Sequence, residues 1–471
     1  MPNPPNEELV WQSAVEMAAL IRTRKVSPVD LVKAIQAQIE RHNPALNAIV
    51  TLHGEEALCA AKKAEEALLS GQRVGPLHGV PLHVKDNLFV AGSRTTFGSR
   101  LTETNVTAED CPAVERLRRA GMILIGRTNT PEQGWKGVTD NRVFGATRNP
   151  WNTSLTPGGS SGGASAAVAA GMGPIGLGTD GGGSLRIPAS FCGVFGFKPS
   201  FGRVPNWPGG GGAILRHIGT ITRSVADMAA ALEVMAGPDP RDLLSLPHTG
   251  ERYLPHIDKG IRDCRVAYSS NLGYARVDPE VATICDRAAL RLSESGAVVE
   301  KIELDWKDPY DAWSVFFFGS AAAALEKKLA LQGELLDPGL RRVVEKGQQL
   351  RGIDFANALG ARHEFWERVR SLYERFDLLV CPTLPVPPFA IGQDDANPVD
   401  GEKLGPLQWT QFTYPFNLTG QPAANVPAGW TQSGLPVGLQ IVGNRHADLL
   451  VLQASRAWEL IQPWQGRRPQ L

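Results

Sequence analysis

The sequence predicts an α/β fold, a large mixed β-sheet sandwiched between α-helices. Two observations carry this. Apolar, β-branched runs that read as strands alternate along the chain with stretches of helical spacing, the pattern of a layered α/β architecture. No low-complexity linker and no internal repeat divides the 471 residues. Length alone is compatible with two or three domains. The uninterrupted pattern predicts one, spanning 1–471, with a helical N-terminal segment (1–72) packed on a core (73–471).

The elements follow in order. Met17, Leu20 and Ile21 fall at helical spacing. Ser27 is a good N-cap and Pro28 suits a first helical turn, so a helix starts there. Leu31, Ile35 and Ile39 form its apolar stripe, and Asn43-Pro44 is expected to end it. The Ala-rich stretch EEALCAAKKAEEALL is a second helix, closed near Gly71. GVPLHVKDNLFV reads as a buried strand. CPAVERLRRAG reads as a helix leading into a strand over Met122–Ile125. GASAAVAAGMGPIGLGTD is a helix of small residues followed by a short strand. SVADMAAALEVM is a helix, CRVAYSS a strand, and PEVATICDRAALRLSESGAVVEKIEL a helix then a strand. FDLLVCPTLPVPP is a strand entering a proline-rich loop, LPVGLQIVG a late strand, and DLLVLQASRAWELI a closing helix.

Composition excludes several function classes. Lys plus Arg equals Asp plus Glu at 48 each, and there is no basic stripe, so nucleic-acid binding is not expected. The six cysteines are scattered singly without metal-ligand spacing, which predicts buried, reduced thiols and no metal. No run approaches the roughly 18 apolar residues of a membrane span. The N-terminus has acids first and basic residues late, the wrong order for a signal peptide. A cytoplasmic protein is expected.

Two glycine-rich stretches stand out, Thr156–Ala167 and Gly178–Pro188. Neither has the lysine of a phosphate loop or the spacing of a dinucleotide fingerprint. A serine nucleophile needs a base. The histidines, among them His78, His83 and His217, sit in no G-x-S-x-G arrangement, and His78 and His83 read as structural or pocket-lining. A lysine held neutral by burial is the other option. Lys85 lies inside an apolar strand, where lysines are uncommon. An ion pair with Asp86 is the competing reading, although neighbours on a strand face opposite ways. Backbone N–H groups at Gly181, Gly182 and Gly183 are suited to hold an oxyanion, worth about 3 kcal/mol per donor. By itself, Gly-Gly-Gly-Ser also reads as an ordinary tight turn before a helix.

Taken together, GGSSGGASAAVAAGMGPIGLGTDGGGSLRIP resembles the amidase signature family. Ser160 and Ser184 stand 24 residues apart, as in that family. GVPLHVKDN, GRTNTPEQGW, FCGVFGFKPSFGRVP, CPTLPVPP and YPFNLTGQPAANVPAG are similar to further family blocks. The resemblance implies the amidase signature fold and a Ser-Ser-Lys triad. Ser184 would be the nucleophile, Ser160 the bridging serine after a cis peptide bond, and Lys85 the neutral base. Gly181, Gly182, Gly183 and the Ser184 N–H would hold the oxyanion, with no metal or organic cofactor. Gly181 departs from the larger residue more often found there, which leaves room for a bulkier acyl group. Ser161, Asp180 and Arg186 are expected to support the loop. Gly159, Trp135 and Trp207 are expected at the substrate, under a lip formed by Phe201–Gly219 with its four glycines. Trp313–Ser320 supplies further aromatic surface, though Phe316–Phe318 also reads as core.

The implied activity is hydrolysis of small hydrophobic or aryl amides, and of esters and carbamates by the same chemistry. A monomer or homodimer is expected. The alternative is the glutamine-hydrolysing component of a tRNA-dependent amidotransferase complex.

Overall fold

Buried strands in this chain are apolar on both faces, and the reason is visible in the sheet they build. The computed structural model describes residues 6–209 and 214–471. Eleven strands of the described residues form one sheet: β1 (Ile49–Leu52), β2 (Pro81–Lys85), β3 (Ile123–Thr128), β4 (Ile175–Asp180), β5 (Phe195–Lys198), β6 (His217–Thr222), β7 (Arg265–Tyr268), β8 (Val298–Lys301), β9 (Leu378–Pro382), β10 (Ala423–Trp430) and β11 (Pro436–Gly443). Their spatial order is β1-β3-β2-β4-β6-β5-β10-β11-β9-β7-β8. The β3-β2-β4 and β9-β7-β8 neighbours are parallel. The intervening pairs and β1-β3 are antiparallel. The sheet is therefore mixed, with the amidase signature architecture the sequence predicts.

Alternate residues feed two cores. Val380 and Ile441 join Val84, Leu177, Leu31 and Ile35 on one face. Leu379, Cys381 and Val442 join Trp313, Phe316, Val344 and Phe365 on the other. A strand covered on both sides needs no polar face, so LLVC reads as one apolar run. The N-terminal helices Ala14–Arg22 and α1 (Pro28–Leu46) pack into the first core through Met17, Ile21, Leu31 and Ile35. Ser13 and Ser27 cap them.

Several boundaries differ from the sequence reading. Helix α1 runs through Pro44 to Leu46 and closes at Asn47, which is left-handed (φ 49°). Proline fixes a helical φ and removes only one N–H. Asn43 then takes the exit, accepting from the N–H groups of Ala48 at 2.9 Å and Ile49 at 2.8 Å. The strand in GVPLHVKDNLFV is confined to Pro81–Lys85, and the one near Met122 spans Ile123–Thr128. Strands β5, β6 and β10 carry no clear sequence signal, because glycines and Pro427 interrupt them and burial on both faces removes alternation. Of the six thiols, Cys59 is exposed and Cys264 half-buried, while the rest are buried. Cys59 sits in an amphipathic surface helix, whose outer face the residue type alone does not reveal.

Candidate active site

The parallel strands β2 and β4 end side by side, which brings Lys85 and Asp180, their last residues, to one edge of the sheet. Two serine segments close over this edge. Ser160-Ser161 immediately precede helix α2 (Gly162–Ala169), and Ser184 lies just before helix α3 (Arg186–Cys192). The Gly159-Ser160 peptide is cis. The Ser161 N–H donates to the Ser184 carbonyl at 3.2 Å, tying the two segments together.

Lys85 is fully buried, and its amine meets hydroxyls instead of carboxylates. Nζ lies 2.7 Å from Ser160 Oγ, 3.0 Å from Ser161 Oγ and 3.1 Å from Thr179 Oγ1. Burial pushes its pKa well below the usual lysine value, and Arg216 pushes it further, against a weaker pull from Asp180. Proton counting agrees with a neutral amine. The Ser161 hydroxyl donates to the Thr179 carbonyl at 3.2 Å, so toward Lys85 it accepts. A neutral amine has two N–H groups and one lone pair. The N–H groups then go to Ser161 and Thr179, and the lone pair faces the hydroxyl proton of Ser160. Asp86 is not the partner of Lys85. It pairs with Arg127 at 3.5 Å and accepts from Thr96 Oγ1 at 2.5 Å.

Ser160 and Ser184 open onto a cavity of about 380 Å³. Gly181, Gly182, Trp135, Trp313, Phe317 and Arg216 also line it. The glycine loop beside Ser184 is held from beneath. Asp180 and Arg186, both fully buried, form a two-pronged ion pair at 2.9 and 3.0 Å. Burial alone would raise the Asp180 pKa, but Arg186 and the hydrogen bonds around it hold it well below the usual carboxylate range. The Asp180 carboxylate accepts from Gly183 N–H at 2.8 Å and Leu185 N–H at 3.1 Å. Trp313 Nε1 donates to the Gly181 carbonyl at 3.1 Å, and Thr413 Oγ1 to the Gly182 carbonyl at 2.6 Å.

This geometry alters three expectations. Gly183 N–H is committed to Asp180, so among the described residues the loop N–H groups without a protein acceptor are those of Gly181, Gly182 and Ser184. Gly183 instead needs its missing side chain for space and backbone: its φ is +131°, and a Cβ would lie 2.3 Å from Thr413 Oγ1. Gly159 lies against the Val138 carbonyl, 2.4 Å from where a Cβ would sit, and does not line the cavity. Trp207 also stands off the cavity wall. It packs edge-on against Phe89 at 6.1 Å, with the Arg241 guanidinium 5.1 Å over its ring. Trp135 lines the cavity as expected. Of the glycine run after Trp207, residues 210–212 lie outside the described residues.

His83 is buried, with Nε2 2.5 Å from the Met172 carbonyl, and His78 meets the Ala64 carbonyl at 2.8 Å; neither lines the cavity. Within the aromatic segment, Phe316 and Phe318 belong to the core, while Phe317 stacks on Trp313 at 4.7 Å and faces the cavity. Residue patterns did not single out Asn87, Thr179, Thr413 or Arg216. Thr179 and Asn87 sit inside the motifs GTD and VKDN, which was the available signal.

The Amidase family model matches residues 30–452. The chain belongs to the amidase signature family. An acylamidase of Rhodococcus erythropolis is 38% identical over 98% of both chains. The amidase component of a glutamyl-tRNA(Gln) amidotransferase of Moorella thermoacetica is 34% identical over 98% of this chain and 99% of that one. Among solved structures, a bacterial aryl acylamidase of the amidase signature family superposes with a TM-score of 0.91 at 33% identity, covering 98% of this chain and 99% of that chain.

Proposed function

We propose that this amidase signature protein is a stand-alone hydrolase of carboxylic amides, working through a Ser184 acyl-enzyme. The single observation that carries the reading is the buried, hydroxyl-bonded Lys85 amine against Ser160, with Ser160 and Ser184 on one cavity. Ser184 Oγ attacks the amide carbon as its proton passes to Ser160 Oγ and the Ser160 proton passes to the Lys85 lone pair. The N–H groups of Gly181, Gly182 and Ser184 take the oxyanion. The C–N bond then breaks, and the proton held by Lys85 returns through Ser160 to the leaving nitrogen. Water repeats the cycle on the ester and releases the acid. No step calls for a cofactor.

The walls favour apolar substrates. Trp135, Trp313, Phe317, Ile187 and Leu215 line most of the cavity, and the absent side chain at Gly181 widens it beside Ser184. Aryl and other hydrophobic amides fit this surface, and esters and carbamates present the same acyl carbon. The similarity to acylamidases supports the stand-alone reading. The similarity to the amidotransferase component keeps glutamine hydrolysis as the second reading. The N-terminal helices share a core with the sheet, in line with one domain over 1–471.

The test is a hydrolysis panel on purified protein: an aryl anilide, an aliphatic amide, glutamine, an aryl ester and an aryl carbamate, each beside Ser184→Ala. Turnover of the anilide that disappears in Ser184→Ala is expected. Turnover of glutamine alone would favour the amidotransferase reading, and undiminished turnover in Ser184→Ala would remove Ser184 as nucleophile.

A further inference from the structure

Two cations line the cavity, Lys136 and Arg216, and their situations differ. Lys136 is already neutralised, with Asp394 at 2.6 Å, Asp140 at 2.8 Å and Asp337 at 3.8 Å. Arg216 has no carboxylate within 4.0 Å among the described residues, and residues 1–5 and 210–213 contain no Asp or Glu. Its guanidinium makes one protein hydrogen bond, from Nη2 to the Asn87 carbonyl at 3.3 Å. The acidic group whose charge acts on it is the Cys111 thiol, which burial keeps protonated. No Asp or Glu lines the cavity.

A guanidinium has five N–H donors in a fixed fork. Holding one partly out of water beside aromatic walls, with most donors idle, is costly unless a ligand completes it. The fork matches a carboxylate, and the charge-assisted pair is among the stronger hydrogen-bonded contacts. Its position puts such a group next to the reaction. In the β4-β6 ladder Asp180 pairs with His217, so Arg216 and Gly181 occupy the next register position, where Gly181 carries no side chain and a Cβ would meet nothing within 4 Å. Arg216 also bonds Asn87, whose amide donates to Thr179 at 3.2 Å, the same Thr179 that touches Lys85.

We propose that Arg216 receives a carboxylate carried by the substrate, so that the preferred amides are apolar amides bearing one carboxylate, such as monoanilides of dicarboxylic acids or N-acyl amino acids. This rests on the amide-hydrolase reading above. Arg216 acts as a specificity residue, and the aromatic wall takes the rest of the molecule.

The experiment separates the two ideas. Binding of succinanilic acid and 4-acetamidobenzoate, each against its methyl ester, is measured by calorimetry on Ser184→Ala, where no turnover is needed. At least one acid is expected to bind about 10- to 100-fold tighter than its ester. Adding Arg216→Gln is expected to erase that preference, and Arg216→Lys to keep part of it as a point charge. In Ser184-intact protein, aniline release from succinanilic acid and from its ester is compared in wild type and Arg216→Gln. A loss confined to the acid supports the site. An equal slowing of acid and ester, with the acid limb of the pH profile moved up, would mean that Arg216 acts only through Lys85 and overturns it. Equal affinity of acids and esters in Ser184→Ala also overturns it, including if Arg216→Gln fails to fold. Absence of hydrolysis with preserved acid binding would count against the hydrolase reading and leave the carboxylate site standing.

Discussion

Replacing Lys85 with methionine should abolish turnover and at the same time alter how stability depends on pH. Lys85 is fully buried, its partners are hydroxyls, and the nearby cation Arg216 adds to the cost of charging it. In the unfolded chain its pKa returns to 10.5, whereas in the folded protein it lies well below. Between those two values the unfolded chain binds one proton more than the folded one. Stability therefore rises with pH in that window, by about 1.4 kcal/mol per pH unit for this one group, and falls as pH drops toward the folded pKa. Lys85→Met lacks the group. Between pH 8.5 and 9.5 the wild type should gain about 1.4 kcal/mol relative to Lys85→Met, while groups common to both cancel in the comparison. Urea unfolding of both proteins at the two pH values measures it. A wild-type-to-variant difference that does not change with pH, or that changes in the opposite direction, would refute a neutral Lys85. The same titration governs activity: kcat/KM should fall about tenfold per pH unit below the folded pKa, since the protonated amine has no lone pair for Ser160.

Trp313→Phe keeps the ring against Tyr414 and Phe317 but removes the N–H that holds the Gly181 carbonyl. One neutral hydrogen bond of about 1 kcal/mol predicts a kcat about fivefold lower with KM nearly unchanged, and steady-state kinetics on an anilide checks it. Asp180→Asn leaves the buried Arg186 charge unpaired, so a loss of about 3–5 kcal/mol is expected in urea unfolding. Gly181→Ile should fold normally, because a Cβ there meets nothing within 4 Å. It should discriminate against bulky acyl groups relative to acetyl by about tenfold or more in kcat/KM; unchanged ratios would show that Gly181 does not shape the acyl pocket.

The sequence by itself determined what local chemistry dictates. Alternating apolar runs and helical stripes gave the mixed α/β fold, because each pattern follows from the geometry of one element. Serine and proline caps located the helix starts, and glycine-rich turns located Ser160 and Ser184. An apolar strand containing one lysine pointed to Lys85. Tertiary structure decided whatever depends on residues distant along the chain. That Lys85 meets Ser160, Ser161 and Thr179 instead of Asp86 follows from β2 lying beside β4. That Gly183 N–H serves Asp180, so that Gly181, Gly182 and Ser184 keep the open N–H groups, follows from how Arg186 and Asn417 orient one carboxylate. Trp207 turns to Phe89 and Arg241, while Trp313, 129 residues beyond Ser184, reaches the loop and the cavity. Strands β5, β6 and β10 form because neighbours on both sides supply hydrogen bonds and cover, a gain that no pattern within the strand itself records.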